Sequence, residues 1–370
     1  MLENDIIDIL TKKALNLWPS EFQKYENEFK MAALSVCLRC IKELRLFEKK
    51  GDAATYDEMI KKHRISKHGE YILDKILFIL VEDKVLVKDD NYYILDKIPD
   101  IGGYAEIMVS LARRFPEEGA SIQWLARASD GLVAVLKGEA YAEDVLFPWS
   151  SFELVEDLYA NSRIYGFYSE LGAYAINLIL QTCFNGSATL MEIGAGTGNS
   201  SKPVIDECID KIEKYYFTDI SKTLIKRSKQ KFISEKIEFK ILDITGSLED
   251  QGYSGELVDI IYAVNVYHAA HDLRKAIENS MKLLKKGGAI VLAEISPPKG
   301  TIYRFMELTF GLLESYSGYS DKEMRPVSPI IRPDEWVSVL NKFGFVDCVT
   351  VPYGKAEIDD RGGVVIGFKR

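Results

Sequence analysis

The sequence predicts an α/β protein, with a parallel sheet in its C-terminal part and a mainly helical region before it. From about residue 188, short apolar runs alternate with amphipathic helical segments, which is the pattern of a parallel sheet whose strands are joined by helices. Closely spaced glycines directly follow the first of these runs, as they do in Rossmann-like folds. A length of 370 residues is more than one compact domain usually holds, so we expect two domains.

The N-terminal domain is predicted to cover residues 1–145 and to contain a winged-helix-like segment at about 52–96. Two segments with helical spacing, Tyr56–His63 and His68–Asp83, are followed by two short apolar runs that a polar turn separates. The second helical segment carries four acidic side chains and one lysine, which is a poor surface for DNA. We therefore expect this segment to pack or to form a dimer.

Composition and charge exclude several classes of protein. The chain has 47 Lys and Arg against 56 Asp and Glu, a net charge of −9, and no basic cluster of the kind that contacts phosphates. The stretch MLENDIIDIL lacks the basic start of a secretory leader, and no uncharged apolar run reaches the roughly 18 residues that cross a membrane. The five scattered cysteines are typical of reduced thiols. We expect a cytoplasmic protein without a nucleic-acid or membrane partner.

The core domain is predicted to cover residues 146–370, with a mainly helical lid inserted at about 297–335. Its strands are marked by apolar runs with few charges. The predicted strands are Thr189–Ile193, Lys214–Thr218, Ile237–Leu242, Val258–Ala263, Ala289–Glu294, Val346–Pro352 and Val364–Phe368. Since open α/β sheets bind ligands at the carboxyl ends of their strands, candidate site residues are expected directly after these runs.

The first strand runs into a loop that reads E-x-G-x-G-x-G. Glycines let the backbone approach a ligand without β-carbon clashes and direct free N–H groups at it. A dinucleotide site would place its third glycine at position 199, which is Asn199 here. The glutamate at the strand end can fix the loop and face a cationic amino acid. The candidate cofactor-binding residues of this loop are Glu192, Gly194, Gly196 and Gly198.

The next two strands end in acids. Asp219 follows Gly198 by 21 residues, about where nucleoside-binding α/β folds place the carboxylate that binds both ribose hydroxyls. The third strand ends in Asp243 and Ile244, an acid and an apolar side chain suited to the amino group and the ring face of adenine. Either acid alone is also compatible with a helix cap or a turn. Glycines, ribose acid and adenine acid in this order predict S-adenosylmethionine as the cofactor, without a metal.

A candidate base follows the fourth strand. Asn265 and His268 lie at its carboxyl end, and the fifth strand ends in Glu294. A carboxylate beside the imidazole would orient the ring and stabilise its charged form. Methyl transfer from a sulfonium needs little beyond alignment and a base that unmasks the nucleophile. The alternative interpretation is that His268 is a structural histidine with satisfied hydrogen bonds.

Several stretches are similar to one family. The segment Val258–Glu294 contains NVYHAAHDLRKAIENSMKLLKKGGAIVLAE, and Val145–Tyr159 reads VLFPWSSFELVEDLY. EIGAGTG and LDITGSLEDQGY lie at the first and third strand ends, and TFGLLE at Thr309–Glu314 lies in the predicted lid. In these motifs the chain resembles the methyltransferase domains embedded in polyketide synthases, strongly over about residues 140–355 and more loosely before them.

The resemblance implies a class I S-adenosylmethionine-dependent methyltransferase core that releases S-adenosylhomocysteine. It implies a catalytic dyad of His268 and Glu294, with Asn265 lining the cofactor and substrate sites. The implied substrate is an acyl chain held as a thioester on the phosphopantetheine arm of an acyl carrier protein, with neighbouring synthase modules as possible partners. The favoured reaction is methylation of the α-carbon of a β-ketoacyl thioester.

The chain departs from the family pattern in two places. Ser315–Tyr319 replaces the usual Gly-Trp-Trp, and Tyr267 replaces the leucine before the histidine. Both changes fall where the acyl substrate is expected, so Tyr267, Tyr316 and Tyr319 are candidate substrate-binding residues. One alternative function is therefore O-methylation of a hydroxyl or enol, on a polyketide intermediate or on a free small molecule. Another is a binding or regulatory module that keeps the fold and has lost the chemistry.

Overall fold

The computed structural model describes residues 4–297, 299–352 and 361–370. In it the chain divides into two units, each assembled from separate segments. The sheet unit comprises Met1–Pro19, Ile164–Gly300 and Tyr319–Arg370, and the helical unit comprises Ser20–Arg163 and Thr301–Gly318. The first helix, α1 (Asn4–Leu17), therefore belongs with the sheet. A short part of the predicted lid belongs with the helical N-terminal region.

The helical unit contains the elements predicted for the winged-helix-like segment. Its helices, numbered in chain order, are α2 (Phe22–Leu44), α3 (Tyr56–His63), α4 (Lys67–Glu82), α5 (Tyr104–Arg114), α6 (Gly119–Lys137), α7 (Ala142–Leu146), α8 (Glu153–Asn161), α13 (Arg304–Leu308) and α14 (Glu314–Ser317). Its strands β1 (Ala53–Thr55), β2 (Leu86–Asp89) and β3 (Tyr92–Leu95) form an antiparallel sheet in the order β1-β3-β2. A capping box of Thr55 and Glu58 starts α3, because each side chain accepts a hydrogen bond from the other residue's backbone N–H.

The sheet unit alternates strands and helices as predicted. Its strands are β4 (Ala188–Glu192), β5 (Ile212–Asp219), β6 (Ile237–Ile241), β7 (Val258–Val264), β8 (Leu284–Ile295), β9 (Phe345–Val351) and β10 (Gly362–Lys369). Its helices besides α1 are α9 (Arg163–Cys183), α10 (Ser201–Cys208), α11 (Lys222–Lys231), α12 (Leu273–Leu283) and α15 (Pro333–Lys342). All seven predicted strands are confirmed. β8 begins five residues before the predicted start because the fully buried Leu284 pairs with Val258 of β7.

The order of the strands creates a crevice in the middle of the sheet. The seven strands are arranged as β6-β5-β4-β7-β8-β10-β9, and β10 runs antiparallel to both of its neighbours. The chain moves outward from β4 to β6 and then continues on the other side of β4 with β7. At such a reversal the carboxyl ends of the two central strands diverge, and open α/β sheets bind their ligands there. A ligand site is therefore expected at the carboxyl ends of β4 and β7.

The inner strands are buried on both faces, as expected for a parallel sheet covered by helices. One face of the sheet forms an apolar core with α12 and α15, which includes Ile261, Leu292 and Trp336. This packing fixes the strand ends and hence the residues that follow them. Within the described part of the chain, no helix combines the length and the apolar character needed to span a bilayer.

Candidate active site

The glycine-rich loop after β4 is attached to the neighbouring strand β5. Gly194, Gly196 and Gly198 have φ angles of 65°, 55° and 83°, in the left-handed region that glycine adopts at no steric cost. The backbone N–H of Ala195 donates to the carbonyl of Thr218 over 2.9 Å. The loop is therefore a rigid turn whose shape depends on glycine.

The three glycines serve different purposes. A β-carbon at Gly194 would come within 2.7 Å of the Val266 side chain, and one at Gly198 would collide with the Phe232 ring. At Gly196 the nearest atom would be the carbonyl oxygen of Gly194, at 3.8 Å. Close packing therefore requires glycine at two positions, whereas the space beside Gly196 is open for a ligand that approaches the backbone.

This difference leads to a test at Gly196. Replacing it with alanine should lower the free energy of unfolding by roughly 1 kcal/mol, because alanine resists a positive φ. The same replacement should weaken S-adenosylmethionine binding at least about tenfold, because the methyl group enters the open space. Gly186→Ala is the matched control, since Gly186 also has a positive φ, of 77°, and also has open space around it. Urea unfolding and calorimetric titration measure the two effects. Equal cofactor affinity in both variants would contradict this role for Gly196.

The carboxylate of Glu192 is hydrogen-bonded to residues that directly follow the glycine-rich loop. Its side chain is fully buried at the end of β4, and its carboxylate accepts hydrogen bonds from the hydroxyls of Ser200 at 2.7 Å, Ser201 at 2.5 Å, and Tyr215. Burial raises the pKa of Glu192, and the three hydroxyl donors oppose that rise. The geometry shows how this carboxylate fixes the start of α10. A direct contact with a bound amino acid stays a prediction.

The three hydroxyl partners of Glu192 are not among the residues predicted from the sequence. Ser200 and Ser201 directly follow the glycine loop, so their position was a usable signal. Tyr215 lies on β5, and nothing in its own stretch of sequence indicates its partner. Only the pairing of β4 with β5 brings this phenol to the carboxylate.

Asp219 is the acid at the end of β5. Its Oδ1 accepts a hydrogen bond from the backbone N–H of Ser221 at 2.7 Å, and its Oδ2 accepts one from Gly196 at 2.8 Å. Burial raises the pKa of Asp219, while these two backbone donors favour its charged form. The structure thus joins the predicted ribose acid to Gly196, the glycine of this loop that close packing does not require.

Asp243 and Ile244 follow β6. Oδ1 of Asp243 accepts hydrogen bonds from the backbone and the hydroxyl of Thr245, at 2.9 and 2.7 Å. Among the described residues, nothing donates to its Oδ2, which leaves one carboxylate oxygen for a ligand. Ile244 is buried in the apolar core of the sheet, and its carbonyl accepts a hydrogen bond from Asn279 at 2.7 Å. Its predicted contact with an adenine ring stays a prediction.

His268 and Glu294 meet at the carboxyl ends of β7 and β8. Nδ1 of His268 lies 2.6 Å from Oε2 of Glu294, and their side chains are only 3% and 1% exposed. Oε1 of Glu294 accepts hydrogen bonds from the backbone N–H groups of Val266 and Tyr267, at 3.1 and 2.9 Å. Because a carboxylate with two such donors accepts hydrogen bonds, this geometry favours the neutral tautomer of His268 that has its proton on Nδ1 and its lone pair on Nε2.

Asn265 connects the ends of the same two strands. It adopts a positive φ of 54°, a conformation that is disfavoured for residues other than glycine. Its backbone N–H donates to Ala293 and its Oδ1 accepts from the N–H of Ile295, each at 2.8 Å. These two bonds hold β7 and β8 in register next to the dyad. Its predicted contacts with cofactor and substrate stay predictions.

The three candidate substrate tyrosines have different surroundings. Tyr267 is fully buried in the core, and its hydroxyl is hydrogen-bonded to Ser280 at 2.6 Å. Tyr319 lies in the sheet unit with its ring 4.6 Å from the guanidinium carbon of Arg325. Tyr316 belongs to the helical unit, where its hydroxyl donates to Glu307 at 3.1 Å. Substrate contacts by these residues stay predictions, and the buried Tyr267 is the least accessible of them.

Within residues 4–297, 299–352 and 361–370, no group of three or more His, Cys, Asp or Glu side chains is arranged to hold a metal ion. The titratable groups at the central crevice are instead engaged with hydroxyls, backbone N–H groups and one imidazole.

Comparison with known proteins identifies the class. Residues 191–290 match the sequence model of a methyltransferase domain. The chain is 32% identical to polyketide synthase PksR of Bacillus subtilis (strain 168) over 236 residues, which are 61% of this chain and 9% of PksR. It is 33% identical to the highly reducing polyketide synthase easB of Emericella nidulans over 221 residues, 58% of this chain and 8% of easB. The chain thus spans less than a tenth of these relatives.

Solved structures share the whole fold. CurJ carbon methyltransferase superposes with a TM-score of 0.87 at 24% identity, covering 98% of this chain and 97% of its own. The CMeT domain of the citrinin polyketide synthase gives 0.84 at 16% identity, covering 98% and 96%. The trans-methyltransferase CalH, in complex with SAH, gives 0.69 at 21% identity, covering 95% and 91%.

The fold and the matching domain define an S-adenosylmethionine-dependent methyltransferase. More particularly, the chain resembles the carbon methyltransferase domains of polyketide synthases in its fold, and its sequence relatives are polyketide synthases. This outcome confirms the predicted family, fold class and enzyme class.

Proposed function

We propose that this protein methylates the α-carbon of a β-ketoacyl thioester that an acyl carrier protein presents, with His268 as the base. The observation that carries the proposal is the buried His268–Glu294 pair, joined over 2.6 Å at the carboxyl end of the central strands. Val266, two residues before this histidine, packs against Gly194 of the glycine-rich loop. The base and the open space beside Gly196 therefore belong to one crevice. Similarity to carbon methyltransferases supports carbon as the acceptor.

The residues at the crevice fit S-adenosylmethionine. The open space at Gly196 admits a ligand against the backbone, Asp219 is placed beside it for two ribose hydroxyls, and Asp243 has one oxygen left for the adenine amino group. CalH, which shares the fold, was crystallised with SAH. When bound, the cofactor supplies a methyl group activated by its sulfonium charge.

The chemistry of the protein itself is a proton transfer. Glu294 holds the Nδ1–H of His268, so Nε2 is the atom that takes a proton from the substrate. The α-hydrogen between a ketone and a thioester is acidic, because both carbonyl groups delocalise the resulting negative charge. As the imidazole becomes positively charged, the carboxylate of Glu294 stabilises it at short range in a buried setting. The enolate carbon is then the nucleophile that accepts the methyl group.

The proposed reaction also implies which proteins the chain interacts with. The sequence relatives are polyketide synthases many times longer than this chain, so a carrier protein with its phosphopantetheine arm, and neighbouring synthase modules, are the proposed partners. We propose that the reaction takes place in the cytoplasm.

Mass spectrometry of carrier-bound substrates tests this function. The protein is incubated with deuterium-methyl-labelled S-adenosylmethionine and with β-ketoacyl or β-hydroxyacyl thioesters of the same chain length on one carrier protein. We expect label on the α-carbon of the β-keto substrate alone, because only that substrate has a doubly activated α-hydrogen. Label on an oxygen of either substrate would establish O-methylation instead. The same β-ketoacyl group on a free thiol tests whether the reaction needs the carrier protein. Equal turnover of this free substrate would contradict the proposed role of the carrier protein.

A further inference from the structure

A segment outside the dyad holds the backbone of His268. Residues 319–325 follow α14 along the chain and lie in the sheet unit. Within this segment, Nη1 of Arg325 donates to the carbonyl oxygen of His268 at 2.7 Å, and Nη2 donates to that of Ala270 at 2.8 Å. One guanidinium thus spans the 3₁₀ turn Tyr267–Ala269 that carries the imidazole. The planar fork of arginine suits such a two-point contact.

The guanidinium is itself held in place. Nε of Arg325 lies 3.0 Å from Oδ2 of Asp321, Nη2 also contacts Oδ1, and both side chains are completely buried. The ring of Tyr319 covers the guanidinium carbon at 4.6 Å. A shift of the guanidinium away from Asp321 would leave a buried charge without compensation, which disfavours other arrangements of this ion pair. The positions of the two carbonyl groups are therefore determined by the pair.

We propose that Arg325 is a positioning residue for His268, an inference that rests on the proposed role of this histidine as the base. The imidazole is oriented by Glu294 through Nδ1, and its main chain is oriented by Arg325 through the carbonyl. Both attachments are needed to direct Nε2 at one point. Without the guanidinium the turn gains freedom, and a displacement of about 1 Å at a reacting atom costs on the order of 10²-fold in rate.

The test compares Arg325→Met with a matched variant at the opposite end of the strands. Lys369 is a comparable cationic clamp, since its Nζ donates to the carbonyls of Met281 and Leu284 and pairs with Glu256 at 2.9 Å. We expect Arg325→Met to lower kcat by about 10²-fold at nearly unchanged affinity for S-adenosylmethionine. Lys369→Met should lose stability but keep kcat.

Because Arg325→Met leaves the charge of Asp321 buried and unpaired, a second variant replaces both partners, as Asp321→Leu with Arg325→Met. Removing a buried pair together is far better tolerated than removing one member. This double variant should unfold close to the wild-type protein in urea and still show the loss in kcat. Full kcat in the folded double variant would overturn the proposal.

A proton NMR measurement separates this inference from the proposed function, since it needs no turnover. The proton shared by Nδ1 of His268 and Glu294 should resonate far downfield in the wild-type protein and in Lys369→Met, and should shift upfield or broaden in the double variant. A lower kcat with an unchanged resonance would show that Arg325 does not act through His268. If His268→Ala were fully active, the proposed function would fail, while the resonance would still report whether Arg325 positions the imidazole.

Discussion

Replacing His268 with alanine is expected to lower kcat by roughly 10²–10⁴-fold and to leave the affinity for S-adenosylmethionine nearly unchanged. The reason is that we propose the imidazole as the group that removes the substrate proton, and the loop after β4 and the ends of β5 and β6 as the cofactor contacts. Steady-state kinetics on the carrier-bound β-ketoacyl thioester gives kcat, and calorimetric titration gives the cofactor affinity.

His271→Ala is the matched control for this experiment. The side chain of His271 is exposed three residues further along the chain, so its removal deletes the same chemical group without touching the dyad. Exchange of the substrate α-hydrogen with deuterated water, measured without cofactor, isolates the proton-transfer step. His268→Ala should lower the exchange rate to the uncatalysed rate measured without protein, and His271→Ala should keep the wild-type rate. Wild-type turnover in His268→Ala would show that another group is the base.

Asp219→Ala is expected to act on binding first, with S-adenosylmethionine affinity about 10²-fold lower. The carboxylate is assigned to the ribose, and it also holds the N–H groups of Gly196 and Ser221. Hydrogen bonds to a charged group contribute about 1.5–3 kcal/mol each, so the loss of the ribose contacts and a looser loop together weaken binding by roughly 3 kcal/mol. At saturating cofactor, kcat should recover much of its wild-type value.

Glu213→Ala provides the comparison for Asp219. Glu213 lies on the same strand, β5, but is exposed near its amino end and bonds the hydroxyl of Ser187 at 2.7 Å. Calorimetric titration of both variants should show weakened cofactor binding for Asp219→Ala only. An unaltered affinity in Asp219→Ala would remove this residue from the ribose site.

Much of the architecture could be predicted because its determinants are local. Apolar runs of strand length, helical spacing between them, and glycines directly after the first run lie within short stretches of chain. Strand ends in a parallel sheet meet at one edge, so Asp219 and the pair of His268 and Glu294 could be placed near one another before the fold was known. In the structure, Nδ1 of His268 lies 2.6 Å from Oε2 of Glu294.

Interactions between distant residues required the tertiary structure. Tyr267 is a predicted substrate-binding residue because it replaces the family's leucine before the histidine. In the structure its ring lies in the core and its hydroxyl is hydrogen-bonded to Ser280, a contact that the sequence did not indicate. Arg325 contacts the His268 carbonyl across 57 positions of sequence, and no periodicity in either stretch indicates that contact.

The sequence by itself therefore determined the secondary structure, the order of the strands along the chain and the residues at the strand ends, since each depends on neighbours within a few positions. The tertiary structure alone decided the distant partners of buried charges, such as the Tyr215 hydroxyl on Glu192 and the His268 carbonyl on Arg325. The physical reason is that a buried charge must be compensated by groups that packing brings close, and the separation of those groups along the chain carries no local signal.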